Sequence, residues 1–170
     1  MIEKLKLIIL LLTVSFCAES VVANNFFDDH FNDFTEDLET AKEEGKQGIF
    51  LFFHLSDCPF CDKMRKKVLS QEHVRDYFKK YFLSFEVDVE GDLEIVDFKG
   101  NDTIEKDFAF KHNRVKATPV LAFFDLNGKR VVRRTGFANE KEFMLLAKYV
   151  VGKVYLNENF VRYKRKHLYK

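Results

Sequence analysis

Residues 48–61, GIFLFFHLSDCPFC, contain the feature that decides the fold: an apolar run that leads directly into two cysteines. Residues 48–55 are almost continuously apolar, which is typical of a strand buried on both faces of a sheet. Residues 62–69 are rich in charge and favour a helix. Cys58 and Cys61 are therefore predicted to lie at a junction between a strand and a helix.

A cysteine pair at such a junction indicates redox chemistry. The free amides and the dipole at the start of the helix favour a thiolate on Cys58. Cys61 follows one turn later, close enough to close a small disulfide ring. We expect Cys58 to attack a substrate disulfide as the nucleophile and Cys61 to resolve the mixed disulfide that forms.

The composition is that of one globular domain. Of the 170 residues, 46% are hydrophobic and 20 are Phe, which suffices for a well-packed core. The net charge of +1 does not favour nucleic-acid binding. We predict a monomer with a single domain over residues 24–170, in which residues 31–151 form the core and residues 152–170 a basic tail.

The first 23 residues are predicted to be a signal peptide. Lys4 and Lys6 precede an apolar segment of about ten residues, and small residues at 21–23 offer a cleavage site before Asn24. The apolar segment is too short to span a bilayer comfortably, although an uncleaved membrane anchor is the alternative.

Cleavage at this site removes Cys17 and leaves Cys58 and Cys61 as the two cysteines of the exported chain. A structural disulfide framework would need more cysteines at wider spacing. The bacterial periplasm is the predicted compartment, because thiol chemistry there requires dedicated proteins.

The rest of the chain alternates predicted helices and strands, which indicates an α/β fold with a central mixed sheet and helices on both faces. The predicted strands cover residues 49–55, 83–89, 120–124 and 129–135. The predicted helices cover residues 31–44, 58–69, 71–81, 103–113 and 139–151. Ser70 and Thr103 are predicted N-caps, and residues 91–101 a predicted insertion loop.

These features resemble the thioredoxin-like superfamily over residues 31–151. The resemblance rests on the apolar strand before Cys58-Pro59-Phe60-Cys61, the strand end Val87-Asp88-Val89, and Ala117-Thr118-Pro119-Val120 before a hairpin. Within the superfamily, the chain is most similar to exported thioredoxin-related proteins of the SoxW type. The resemblance implies a thioredoxin-like fold and a dithiol/disulfide cycle without a bound cofactor.

The resemblance also implies roles for the residues around the cysteines. It implies a cis bond between Thr118 and Pro119 that faces the cysteines and lets Thr118 pair with an extended substrate segment. A trans proline at the start of an edge strand is the alternative. Pro59 and Phe60 correspond to the dipeptide that tunes the redox potential in this superfamily, and Pro59 also suits a first helical turn.

The sequence departs from cytosolic thioredoxin at three places. The dipeptide between the cysteines is Pro59-Phe60 instead of Gly-Pro. Phe52 stands where thioredoxins keep a buried Asp, and His54 and Asp57 stand where they usually have Trp. These departures leave the proton route to the second cysteine, the reduction potential and the partner open.

The roles of His54 and Asp57 stay open as well. His54 is either a proton relay or a hydrogen-bonded histidine at the end of the strand. The carboxylate of Asp57 would oppose thiolate formation on the neighbouring cysteine, and Lys63 and Arg65 are the candidate counter-charges.

We therefore predict a periplasmic thiol–disulfide oxidoreductase that reduces disulfides in an exported partner protein, with electrons from a membrane thiol donor. Physical chemistry alone does not choose the direction, so an oxidase or isomerase for folding proteins is an alternative. A chaperone for metal or haem that uses the cysteines as ligands is a second alternative. The sequence has no second ligand pair at zinc-finger spacing.

The C-terminal residues 160–170 are basic with interleaved aromatic residues. Such a segment is usually the solvated end of the last helix. A contact with an acidic partner or an anionic membrane is the alternative.

Overall fold

The computed structural model describes residues 25–168, so the predicted signal peptide lies outside the described part of the chain. The strands are β1 (Gly48–His54), β2 (Phe82–Asp88), β3 (Glu94–Val96), β4 (Asp102–Ile104), β5 (Val120–Phe124) and β6 (Arg130–Thr135). The helices are α1 (Phe34–Glu43), α2 (Pro59–Met64), α3 (Glu72–Tyr81), α4 (Glu105–Asp107), α5 (Glu140–Val151) and α6 (Phe160–Leu168). Helices α2 and α4 continue as the π-helical segments Arg65–Leu69 and Phe108–His112.

Four strands form the central sheet in the order β2-β1-β5-β6. Strand β1 runs parallel to β2 and antiparallel to β5, and β5 runs antiparallel to β6. The sheet is therefore mixed, as predicted, because one parallel crossover is combined with a hairpin. Strands β3 and β4 pair separately as a small antiparallel hairpin.

Helices cover both faces of the sheet, which confirms the predicted architecture. Phe50 and Phe52 of β1 face the side on which α2, α3 and α5 pack. The alternate residues Ile49, Leu51 and Phe53 face α1 and the π-helical segment after α4. All five side chains are fully buried, which is the burial that the apolar run predicted.

Phe78 of α3 lies at the centre of the larger core cluster. Its ring stacks on Phe143 of α5 at a centroid distance of 4.5 Å. The other rings within 6.0 Å of it are those of Phe26, Phe50, Phe82 and Phe123. The ring of Phe78 thus joins helices α3 and α5 to strands β1, β2 and β5.

Helix α1 starts later than predicted. The side chain of Asp33 accepts hydrogen bonds from the amides of Thr35 and Glu36, so Asp33 is the N-cap. Phe31 precedes this cap and is 91% exposed. The predicted start of this helix at residue 31 is therefore wrong.

Residues 91–101 also differ from the predicted loop, because they contain β3. Thr103 lies in β4 and does not cap a helix. Asp97 closes the turn between the two strands by accepting hydrogen bonds from the amides of Lys99 and Asn101. Strands of three residues are too short for their alternation of apolar and polar residues to be recognised in the sequence.

Ser70 does not cap α3. Its hydroxyl donates a hydrogen bond back to the carbonyl oxygen of Lys66, and Gln71 occupies the N-cap position without a side-chain hydrogen bond. A serine between two helical segments has both options, and here it bonds to the preceding turn.

The basic tail folds back on the protein instead of extending α5. The chain turns at Lys153, and the ring of Tyr149 then packs against Phe160 and Tyr163 of α6. The ammonium of Lys164 lies 2.9 Å from the carboxylate of Glu142 in α5. Within residues 25–168, no helix is long and apolar enough to cross a membrane.

We expect Phe78→Ala to lower the free energy of unfolding by about 3–5 kcal/mol, because it leaves a cavity among five aromatic rings. Chemical denaturation monitored by circular dichroism measures this change. Phe110→Ala is the matched control, since Phe110 is 61% exposed and its removal should cost about 0.5 kcal/mol or less. Equal losses in the two variants would contradict the proposed centre of the core.

Glu142 should make the stability depend on acid pH. Burial raises its pKa, but hydrogen bonds from Arg134 and Lys164 outweigh burial and hold the pKa below the usual 4.5. A lowered pKa stabilises the fold above 4.5, and this contribution is lost as the pH falls through the lowered value.

The free energy of unfolding of Glu142→Gln, measured at a series of pH values, should lie below that of the unsubstituted protein at pH 7. The difference should shrink as the pH falls below 4.5. Glu43→Gln, at an exposed position of α1, serves as the control. If the difference in free energy of unfolding between Glu142→Gln and the unsubstituted protein did not change with pH, the charge of the Glu142 carboxylate would not contribute to stability.

Candidate active site

Cys58 and Cys61 are joined by a disulfide at the start of α2, with a Cα–Cα distance of 5.2 Å. Cys58 is the N-cap residue, and Pro59 occupies the first helical turn, where its missing amide costs no hydrogen bond. The amide of Cys61 donates to the Sγ atom of Cys58 over 3.1 Å. The helix start thus provides a donor at the sulfur atom that would carry a thiolate after reduction.

The two sulfur atoms differ in accessibility. Cys58 is 7% exposed, whereas Cys61 is fully buried. A partner that approaches from solvent can therefore reach Cys58 but not Cys61. This asymmetry separates an attacking cysteine from a resolving one.

Thr118 and Pro119 lie against the disulfide. The Thr118–Pro119 peptide bond is cis. The hydroxyl of Thr118 donates a hydrogen bond to the Sγ atom of Cys58 over 3.3 Å. Two segments that are 60 residues apart in sequence thus meet at one sulfur atom.

Phe60 lies on the surface between the two cysteines. Its side chain is 58% exposed, and Pro59 beside it is exposed as well. An apolar ring therefore borders the accessible sulfur of Cys58. Such a surface favours contact with apolar groups of another protein.

Asp57 is exposed, and the predicted counter-charges have other partners. The ammonium of Lys63 lies over the ring of Phe137 at 4.6 Å. The guanidinium of Arg65 donates two hydrogen bonds to Glu86. Neither cation forms an ion pair with Asp57 within the described part of the chain, and solvent screens this exposed carboxylate.

His54 ends β1 and is partly buried. Its Nδ1 atom is buried and has no hydrogen-bond partner among the residues that the structure describes. Its ring stacks near Phe52 at a centroid distance of 6.2 Å. A structural histidine would be expected to form a hydrogen bond at this buried atom, and Nδ1 of His54 forms none with the described residues.

Phe52 makes the floor beneath the disulfide apolar. It is fully buried and belongs to the same core cluster as both cysteines. The ring of Phe27 lies 5.8 Å from it, and the guanidinium of Arg65 lies over it at 5.3 Å. The position where a thioredoxin keeps a carboxylate is therefore occupied by a ring in an aromatic cluster.

Glu105 is a residue of this region that the sequence analysis missed. Its carboxylate accepts a hydrogen bond from the amide of Asp88, which pairs with His54 in the β1–β2 register. Burial raises the pKa of Glu105, and the charge of Asp88 adds to this effect, while the amide of Asp88 and the charge of His54 oppose it. Because Glu105 follows the unrecognised strand β4, no local pattern pointed to it.

No group of three or more His, Cys, Asp or Glu side chains within residues 25–168 is placed to hold a metal ion. The geometry of the described site consists of the disulfide, the Thr118 hydroxyl and the surrounding apolar surface.

The sequence matches the family model of thioredoxin-like domains over residues 34–151. Among solved structures, a thioredoxin-fold protein from Helicobacter pylori is similar, with a TM-score of 0.65 and 18% identity. The match covers 87% of this chain and 91% of that chain. At this identity the similarity shows the fold alone. No curated protein matches the sequence.

Two further solved structures have higher sequence identity. A thioredoxin from Thermus thermophilus has a TM-score of 0.56 and 25% identity, over 71% of this chain and 85% of that chain. A protein from Bacteroides thetaiotaomicron that is proposed to be a disulphide isomerase has a TM-score of 0.54 and 27% identity. That match covers 76% of this chain and 94% of the other.

The Thr118 hydroxyl should support the reactivity of Cys58. In the reduced protein, Thr118→Val removes a donor worth about 0.5–1.5 kcal/mol to the sulfur, so we expect alkylation of Cys58 by iodoacetamide to slow about twofold to tenfold. Thr118→Ser retains the hydroxyl and is the matched control. Equal alkylation rates in Thr118→Val and the unsubstituted protein would show that the contact is not used.

Proposed function

The chain belongs to the family of thioredoxin-like domains, and we propose that it is a thiol–disulfide oxidoreductase whose reacting groups are Cys58 and Cys61. The observation that carries the proposal is the asymmetric disulfide, with an accessible Cys58 and a fully buried Cys61 at the start of a helix. This arrangement supplies one sulfur for attack and a second for resolution.

The catalytic cycle starts from the dithiol form. The Cys58 thiolate attacks one sulfur of a substrate disulfide, which forms a mixed disulfide and releases the other substrate sulfur as a thiolate. The Cys61 thiolate then attacks Cys58, which releases the second substrate sulfur and closes the Cys58–Cys61 disulfide. Two electrons and two protons have then passed to the substrate, and a donor dithiol restores the starting form.

Thr118 has two roles in this proposal. Its hydroxyl donates to the sulfur of Cys58, which supports the thiolate before attack. Its backbone pairs with an extended substrate segment beside the disulfide, with Phe60 as an adjoining apolar contact. Pro119 completes the loop that holds Thr118 in place.

We further propose that the chain acts in the periplasm as a reductant of an exported partner protein and receives electrons from a membrane thiol donor. The support is the SoxW-type resemblance around the cysteine motif and the predicted signal peptide. The same proposal includes that the reaction uses the Cys58–Cys61 disulfide and needs no bound cofactor.

An isomerase that corrects disulfides in folding proteins is the second candidate. The similarity to the Bacteroides thetaiotaomicron protein at 27% identity and the exposed ring of Phe60 favour it. The two candidates differ in reduction potential, because an isomerase must accept electrons more readily than a thioredoxin-type reductant. Equilibration with glutathione buffers, followed by alkylation and mass spectrometry, separates them.

The decisive experiment combines turnover with trapping. We expect the unsubstituted protein to reduce insulin with dithiothreitol as donor, and Cys58→Ser to have no activity above the uncatalysed rate. Cys61→Ala should stop at the mixed disulfide and retain partner proteins that reductant releases. The double variant Cys58→Ser/Cys61→Ala is the control for non-covalent capture. Insulin reduction that survives in Cys58→Ser would overturn the assignment of the nucleophile.

A further inference from the structure

A groove lies between β6 and α6, away from the cysteines. Its cavity volume is about 710 Å³. Residues 131–134 of β6 form one wall, Phe160, Val161 and Arg165 of α6 contribute to the other, and Tyr149 of α5 contributes to the floor. We call this feature the edge groove.

The β6 wall of the edge groove is a strand edge. Strand β6 ends the four-stranded sheet and pairs with β5 alone. Neighbouring side chains on a strand point to opposite faces of the sheet. Because four consecutive residues of β6 line the groove, we infer that the backbone edge of the strand faces it. Within residues 25–168, no hydrogen bond outside the β5–β6 ladder involves the backbone of residues 131–134.

The edge groove is strongly basic. Arg133, Arg134, Lys164 and Arg165 line it, against the single carboxylate of Glu142, so four positive charges less one negative charge leave a net charge of +3. Glu142 already lies within 2.9 Å of both Arg134 and Lys164. No carboxylate among the described residues lies at ion-pair distance from Arg133 or Arg165.

The groove also offers apolar contacts between the charges. Val131, Val132 and Phe160 are partly buried, and Val161 is 67% exposed on the facing helix. Along β6 the apolar residues Val131 and Val132 come first, and the basic residues Arg133 and Arg134 follow. The groove therefore offers both apolar and basic contacts, which suits an extended chain that carries both apolar and acidic side chains.

We propose that the edge groove binds an extended acidic segment of a partner protein, which adds to β6 as a further strand and places carboxylates against Arg165 and the other basic side chains on the α6 side of the edge. Backbone hydrogen bonds to the free edge give affinity, and the charges select the partner. A second copy of this chain fits less well, because pairing β6 with β6 brings Arg133 and Arg134 of both copies together. A bilayer surface fits less well, because it cannot enter a concave groove.

The probe is a fluorescent peptide of alternating Val and Glu residues, without cysteine, and the matched probe carries Lys in place of Glu. Both are titrated into the Cys58→Ser/Cys61→Ala protein, so binding is measured without any disulfide exchange and independently of the proposed enzymatic function. We expect the acidic peptide to bind at least about tenfold more tightly than the basic one, and salt to weaken its binding.

The charge reversal Arg165→Glu should weaken binding of the acidic peptide at least about tenfold. Lys67→Glu is the matched control, since Lys67 is exposed on the π-helical segment after α2 and does not line the groove. It should leave the affinity within about twofold.

Hydrogen–deuterium exchange tests the strand pairing itself. Binding of the acidic peptide should protect amides of residues 130–135, whereas protection confined to α6 would overturn strand addition. Equal affinity for the two peptides, or no effect of Arg165→Glu, would overturn the proposal. Two further results would overturn the proposal, because each gives the groove another occupant. The first is a dimer of this chain that Arg165→Glu abolishes, and the second is binding to anionic phospholipid vesicles that displaces the peptide.

Discussion

The burial of β1 on both of its faces is the constraint on which the rest of the structure depends. Its side chains from Ile49 to Phe53 are fully buried and alternate between two core clusters. Each cluster needs its own layer of helices, so one strand requires a three-layer fold. The end of this strand then determines where Cys58 lies, because the chain leaves the sheet at His54 and reaches Cys58, the N-cap of α2, four residues later.

The site depends on the same strand through its pairing with β5. The register places Phe53 opposite Val120, and this pairing carries the Thr118–Pro119 loop to the start of α2. A slip of one residue would turn the side chains of β5 to the wrong faces of the sheet, so the core holds the register. The contact between the Thr118 hydroxyl and the Cys58 sulfur is thus maintained by packing that is distributed over the whole sheet.

The polar groups around the disulfide differ from the arrangement that the thioredoxin resemblance implies. Phe52 replaces a buried carboxylate by an aromatic ring and leaves the floor apolar. The titratable groups lie instead at the ends of β1 and β2, where Glu105 accepts a hydrogen bond from the amide of Asp88, and burial raises the pKa of Glu105. Glu105 and His54 are candidates for a proton route, and Glu105 comes from a segment that carries no recognisable motif.

The sequence by itself determined the cysteine pair, the long buried strands, the hairpin from β5 to β6 and the final helix of the core. These features follow from apolar runs, cysteine spacing and turn residues, which act between neighbours in the chain. Only the tertiary structure decided that Thr118 meets Cys58, that Glu105 binds the amide of Asp88, and that α6 folds back to form a basic groove along β6. Such contacts join distant segments, and their geometry follows from the packing of the whole core, which no local pattern records.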